Sequence, residues 1–125
     1  MSGLLIDTHI VLWLRRSPQT LAQAERNALD SATTVFLSAV SLWEIAIMLG
    51  NRRLPGGNAQ LLNVPSGLKW LPLTQDHCRA LVALPRYHRD PFDRMLVAQA
   101  HSENLPLLTR DRAMQAYRQH ATILP

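Results

Sequence analysis

At 125 residues, with 47% apolar and 18% charged positions, the chain has the size and composition of one globular domain, which excludes a disordered or fibrous protein. No apolar run approaches the roughly 18 residues of a membrane span, and Met1-Ser2-Gly3-Leu4-Leu5-Ile6-Asp7 lacks the basic stretch of a secretory leader, so a cytoplasmic protein without membrane attachment is expected. The net charge of +4 comes almost wholly from arginine, since Lys69 is the only lysine; arginine's planar fork suits phosphate or carboxylate partners, though a solvated basic surface fits the composition equally well.

Gly3 to Ile6 is a short apolar run ending in an acid, as in a buried strand. Thr8 to Leu14 has apolar residues at helical spacing and is broken by Ser17-Pro18. Leu21 to Ser31 reads as a second helix, Val35-Phe36-Leu37 as a second strand, and Ser41 to Leu49 as a third helix. Pro55-Gly56-Gly57 marks a loop. Lys69 to Leu73 is a third strand, which Pro72 confines to an edge or a strand end. Thr74 caps a helix from Gln75 to Leu84; Pro85 ends it, and Pro91 opens another that runs to about Glu103. Leu105 to Leu108 is a fourth strand, Asp111 to Gln119 a last helix, and Ala121 to Leu124 a last strand. No repeat or long linker divides the chain, so residues 1–125 are read as one domain. Strands separated by helices imply crossover connections, hence an α/β domain with a mainly parallel sheet covered on both faces.

Ligands of such sheets bind at the carboxyl ends of the strands, where several acids fall. Asp7 ends the first strand, Asp111 lies three residues beyond Leu108, Glu44 opens a helix after a strand, and Asp93 opens a helix on a proline-bounded loop. Each also has an ordinary reading. Ser41-Leu42-Trp43-Glu44 spells a capping box, Asp90-Pro91-Phe92-Asp93 is a strong helix start, Asp111 can cap the last helix, and Asp7 can be a turn residue. Together, though, four carboxylates at one rim repel each other, and a divalent cation would remove that conflict. Magnesium takes oxygen ligands and would serve phosphoryl chemistry without a dedicated histidine base. Spacing alone leaves both readings open.

Four segments then carry a likeness: Leu5-Ile6-Asp7-Thr8-His9, Ser38 to Ala46, the run HRDPFDRMLVAQA from His88 to Ala100, and Leu107-Leu108-Thr109-Arg110-Asp111. In this order they resemble the PIN-domain family, and within it the VapC-type ribonuclease toxins of bacterial toxin–antitoxin pairs. The resemblance covers almost the whole chain. It implies an α/β/α sandwich, metal ligation by Asp7, Glu44, Asp93 and Asp111, magnesium or manganese as cofactor, and cleavage of single-stranded or loop RNA. It also implies a homodimer and a small antitoxin partner. Thr109 matches a hydroxyl residue expected to order water or substrate. Asp90 is a fifth acid whose place before proline favours a cap over a part in the metal site. Met48 stands where many relatives carry lysine, and Arg52-Arg53-Leu54 replaces a Gly-Lys-Leu segment.

Arg110 and Arg112, beside Asp111, are the foremost RNA-contact candidates, followed by Arg94 and Arg89. Arg94 has the rival reading of pairing with a carboxylate, and His88 that of a loop residue. Arg15, Arg16, Arg52 and Arg53 are expected to be solvated. Trp43 could stack on a base but is expected rather in core packing or a dimer contact, Tyr87 is open to base stacking, Cys78 is read as a small buried hydrophobe, and His9 as a packing or hydrogen-bonding residue. Two rival functions are a phosphotransferase with Asp7 as nucleophile and a non-catalytic RNA- or protein-binding module with a vestigial acid cluster. The first wants a second acid two residues on, where His9 stands.

Overall fold

In the computed structural model, which describes residues 2–125, Gly3–Ile6 forms strand β1 with all four residues buried. The remaining strands are β2 (Thr34–Ser38), β3 (Leu68–Leu71), β4 (Leu107–Leu108) and β5 (Ile123–Leu124). Helix α1 spans Thr8–Arg16, α2 Gln23–Ser31, α3 Ala39–Gly50, α4 Gln75–Ala83 and α5 Pro91–Glu103. Every strand pairing is parallel, in the order β3-β2-β1-β4-β5.

Because successive strand residues face opposite ways, β1 feeds two cores. Leu4 and Ile6 pack with Ile10, Val11 and Ile45 of α1 and α3, whereas Leu5 packs with Leu96, Val97 and Ala100 of α5. Helices therefore cover both sheet faces, the expected sandwich. Pro72 follows β3 directly, and β3 is an edge strand, as a residue without an N–H requires.

The structure departs from the sequence reading in several places. The segment after Asp111 is a 3₁₀ helix, Arg112–Tyr117, rather than an α-helix to Gln119. The start of α3 is set by Ser38, whose hydroxyl accepts the Val40 N–H. Ser41 is therefore inside the helix, buried and bonded to the Thr8 hydroxyl at 3.1 Å. The capping box dissolves, and Glu44 has no capping duty. Cys78 is exposed because its neighbour His77 takes the buried position on α4, and one residue along a helix turns the side chain by about 100°. Trp43 lies outside the core, exposed and edge-on to Phe92 with centroids 4.9 Å apart. Arg15 is not simply solvated: its guanidinium donates to the carbonyls of Gln60, Leu61 and Asn63 and ties down the segment ahead of β3.

Candidate active site

The chain passes from β1 to β2 and β3 on one side of the sheet, then returns to β4 and β5 on the other. The crevice between the carboxyl ends of β1 and β4 is thus the point where strand order reverses, the usual ligand position in an open α/β sheet. Asp7 is the first residue past β1, and its N–H donates to the Leu108 carbonyl at 3.0 Å. As N-cap of α1 it accepts the Ile10 N–H on Oδ1, while Oδ2 accepts the Thr109 hydroxyl. Thr109 Oγ1 in turn accepts the Asp111 N–H at 3.1 Å. One hydroxyl therefore locks the loop after β4 to the acid after β1. Both Asp7 oxygens are engaged and the residue is buried, an arrangement ill suited to an in-line nucleophile.

Asp90 caps α5 by accepting the N–H groups of Phe92 and Asp93. Asp93 is thereby held in the first turn with its carboxylate free to face the crevice. Asp111 caps the 3₁₀ helix through Oδ1, which accepts the Ala113 N–H at 3.0 Å, and turns Oδ2 toward His88. His88 Nε2 lies 3.0 Å from Asp111 Oδ2 and 3.2 Å from Asp93 Oδ2. Its other ring nitrogen accepts the Asp90 N–H at 3.1 Å. A neutral imidazole accepting at Nδ1 carries its proton on Nε2, so His88 offers an N–H to the two acids and no lone pair to a metal. Among the described residues, His88, Asp93 and Asp111 are the group whose ligating atoms converge, within 4.8 Å of one another.

The electrostatics follow from burial and crowding. Burial pushes the Asp7 carboxyl up, against the Thr109 and Ile10 hydrogen bonds. Burial also raises Glu44, with Asp90 and Asp7 adding repulsion. Asp93 is pushed up to about 7, first by burial and then by Asp90, with His88 opposing and Glu44 and Asp7 adding to the rise. Asp111 is held below the carboxylate range, chiefly by His88. Burial and mutual repulsion thus hold three of the four acids above their ordinary values, and Glu44 Oε1 is buried with no hydrogen-bond partner among the described residues. Oxygen donors of this kind fit a hard divalent ion such as magnesium or manganese.

The arginines divide. Arg110 is held by Glu25, a buried acid of α2: its Nε donates to Oε2 at 2.8 Å and its Nη2 to Oε1 at 2.5 Å. A further bond from Nη2 reaches the Thr20 carbonyl, and the guanidinium lies 4.1 Å over the Trp13 ring. Arg94 is half-buried and its Nη2 reaches the Leu84 carbonyl at 3.4 Å, so it is not paired with a carboxylate. Arg89 and Arg112 are exposed. Tyr87 is exposed, its ring 5.4 Å from that of Tyr117. Sequence reasoning missed Glu25, whose role depends on a partner 85 positions away. It also missed the ties from Thr8 to Ser41 and from His88 to Asp111. The only local signal was the adjacency of His88 to the Asp90 helix start.

The cavity over Asp7, Asp93 and Asp111, about 280 Å³, is lined by these acids with His9, Trp13 and Arg110, and Glu44 is not among its lining residues. The sequence pattern of the PIN domain matches residues 4–119. The chain is 30% identical to Ribonuclease VapC22 of Mycobacterium tuberculosis, over 94% of each chain. Its fold is similar to that in VapBC2 from Rickettsia felis bound to a promoter DNA fragment, with a TM-score of 0.70, 14% identity, and coverage of 97% of this chain and 96% of that one. It is also similar to FitAcB from Neisseria gonorrhoeae, with a TM-score of 0.65, 20% identity, and coverage of 98% and 96%. The chain belongs to the PIN-domain family, on its VapC-like branch.

Proposed function

We propose that this protein is a metal-dependent endoribonuclease and the toxin of a toxin–antitoxin pair. The carrying observation is the meeting of Asp7, Asp93 and Asp111 at the switch point of the sheet, where Asp93 is pushed up to about 7 by burial and neighbouring acids. Arg110, at the edge of the cavity, is engaged by Glu25, and His88 offers a single N–H to two of the acids, so structural pairing only partly offsets the crowding. A site for a cation accounts for the rest. The likeness to a mycobacterial ribonuclease supports RNA as substrate, and the toxin–antitoxin complexes among the structural neighbours support a small antitoxin as partner.

In this reading Asp7, Glu44, Asp93 and Asp111 would hold magnesium or manganese. The chemistry such an ion supplies when bound is activation of water and neutralisation of charge on a phosphoryl oxygen. The chain's own residues do the rest. Thr109 fixes the Asp7 carboxylate through its hydroxyl, and Asp90 sets the first turn of α5 so that Asp93 faces the crevice. Arg89 and Arg112, exposed beside the acids, draw the RNA backbone through its charge, while Arg110 works from its bracket with Glu25. Among the described residues, no helix is long and apolar enough to cross a membrane. We place the protein in the cytoplasm, as a homodimer with exposed Trp43 and Ile47 of α3 in the contact.

The test is incubation of the purified protein, freed of any antitoxin, with total bacterial RNA. Parallel samples contain magnesium, manganese or a chelator, and the Asp7→Asn and Asp93→Asn variants serve as controls. Discrete fragments that require both metal and acids are expected, with both variants folded. Intact RNA from folded wild type would leave a binding module as the better reading, and cleavage by either variant would unseat the assigned ligands.

A further inference from the structure

Helix α1 leads away from the acids, and one of its faces is chemically distinctive. His9, Trp13 and Arg16 stand at i, i+4 and i+7, the spacing that aligns side chains along one side of a helix. His9 and Arg16 are exposed and Trp13 half-buried. The His9 and Trp13 rings lie 5.9 Å apart, tilted by 44°. Both rings line the acid cavity, and both also line an adjoining cavity of about 460 Å³ that continues to Arg16 over Leu12, Met48 and Leu54. The two hollows therefore form one trough, carboxylates at one end and an arginine at the other, with two aromatic rings at the join.

The trough is built to keep its shape. Trp13 is braced by the Arg110 guanidinium at 4.1 Å, and Arg110 is itself fixed by two bonds to buried Glu25. Arg16 is anchored through Nη2 to the Pro55 carbonyl. Rigid aromatic faces next to apolar side chains, with a cation one step further, match an unpaired base followed by a phosphate. A base-paired strand would have no free face to offer.

Resting on the ribonuclease reading of the neighbouring acids, we propose that the His9–Trp13–Arg16 face of α1 is a subsite for an unpaired ribonucleotide adjoining the phosphate at the carboxylates. Its base stacks at the His9–Trp13 join, and its outer phosphate meets Arg16.

The first experiment reads binding without cleavage. Trp13, Trp43 and Trp70 give three indole N–H resonances, and loss of one in Trp13→Leu assigns Trp13. The protein is titrated with the four ribonucleoside 5′-monophosphates and with ribose 5-phosphate as base-free control. Nucleotides are expected to shift the Trp13 indole and His9 ring signals and to bind roughly ten-fold tighter than ribose 5-phosphate, the scale of one stacked base. Equal shifts from both kinds of ligand, or shifts at Trp43 and Trp70 alone, overturn the subsite. The second experiment compares steady-state cleavage of one mapped RNA fragment by wild type, Trp13→Leu and His9→Ala, the last at an exposed position that does not threaten the fold. A rise in KM of roughly ten-fold, with kcat less affected, is expected. Unchanged KM in both variants overturns the subsite while leaving the ribonuclease intact. Selective nucleotide binding in a protein that cuts no RNA would instead retain the subsite and remove the ribonuclease.

Discussion

The Nε2 of His88 sits 3.0 Å from Oδ2 of Asp111, and the same nitrogen is 3.2 Å from Oδ2 of Asp93. Its N–H is thus shared between two acids that would otherwise face each other bare. Removing it in His88→Ala should lower the stability of the metal-free protein by about 1.5–3 kcal/mol, the scale of a hydrogen bond to a charged group. The gain in Tm on adding magnesium or manganese should grow, because the ion no longer displaces the N–H. Differential scanning fluorimetry with and without metal measures both. An unchanged Tm in chelator, or a smaller gain with metal, would show that His88 does not relieve the acids.

Asp93 gives the pH dependence a definite sign. A carboxyl whose folded pKa is raised, from 3.8 to about 7, favours folding while protonated and progressively opposes it as pH climbs between those values. Asp7 and Glu44 are raised as well and act in the same direction. Glu25 and Asp111 are held low, and their contribution is present above their ordinary values of 4.5 and 3.8 and lost as pH falls through the folded ones. The metal-free protein should therefore be most stable near pH 4 to 5 and lose stability toward pH 7. Asp93→Asn should flatten the loss, adding on the order of 2 kcal/mol at pH 7 in chelator. Urea titrations across this range decide it. A metal-free stability that rises toward neutrality would mean the acids are better solvated than their burial indicates.

The elements that sequence alone placed correctly have local causes. Asp90-Pro91 starts α5 because a capping side chain and a preset φ act within three residues. The buried run of β1 likewise identifies itself. Glu44 shows the limit. Ser41 and Glu44 have the spacing of a capping box, yet Ser38 takes the cap because its hydroxyl already bonds Gln99, 61 positions on. The last helix tightens to 3₁₀ geometry where Asp111 spends one oxygen on Ala113 and keeps the other for His88. Order and spacing brought the acids to one rim as candidates, and only the family resemblance singled out four of them as ligands. Their partners lie on distant segments, and no local pattern encodes those.

Glu25 and Arg110 should respond unequally to substitution. Arg110→Ala leaves a carboxylate only 1% exposed with the Ala22 N–H at 2.7 Å as its remaining partner, and also removes the brace on Trp13. That should cost about 2–3 kcal/mol. In Glu25→Gln the guanidinium, 42% exposed, keeps its water and can still donate to the amide oxygen, so the loss should stay below about 1 kcal/mol. Equilibrium denaturation of both variants tests the asymmetry. Equal losses would mean that the pair stabilises by mutual attraction and not by satisfying the buried acid.

The Gln99 side chain is fully buried between elements that set the rear of the site. Its Oε1 accepts the Ser38 hydroxyl at 2.5 Å, while Nε2 reaches the Pro72 carbonyl at 3.4 Å and faces His77 Nδ1 at 3.3 Å. His77 accepts the Thr74 N–H on Nδ1 and so presents Nε2–H to Glu103 at 2.7 Å. The chain of bonds joins the carboxyl ends of β2 and β3 to α4 and α5, and Ser38 within it starts the helix that carries Glu44. Gln99→Leu should cost about 2–3 kcal/mol, since it strands the buried Ser38 hydroxyl without its acceptor. Ser38→Ala should cost about 1–2 kcal/mol through the lost cap. The double variant should fall short of the sum by at least about 0.5 kcal/mol, because each change already removes the bond the other would break. Strict additivity in a denaturation cycle would instead mean that Ser38 acts on α3 alone, and that the position of Glu44 does not depend on α5.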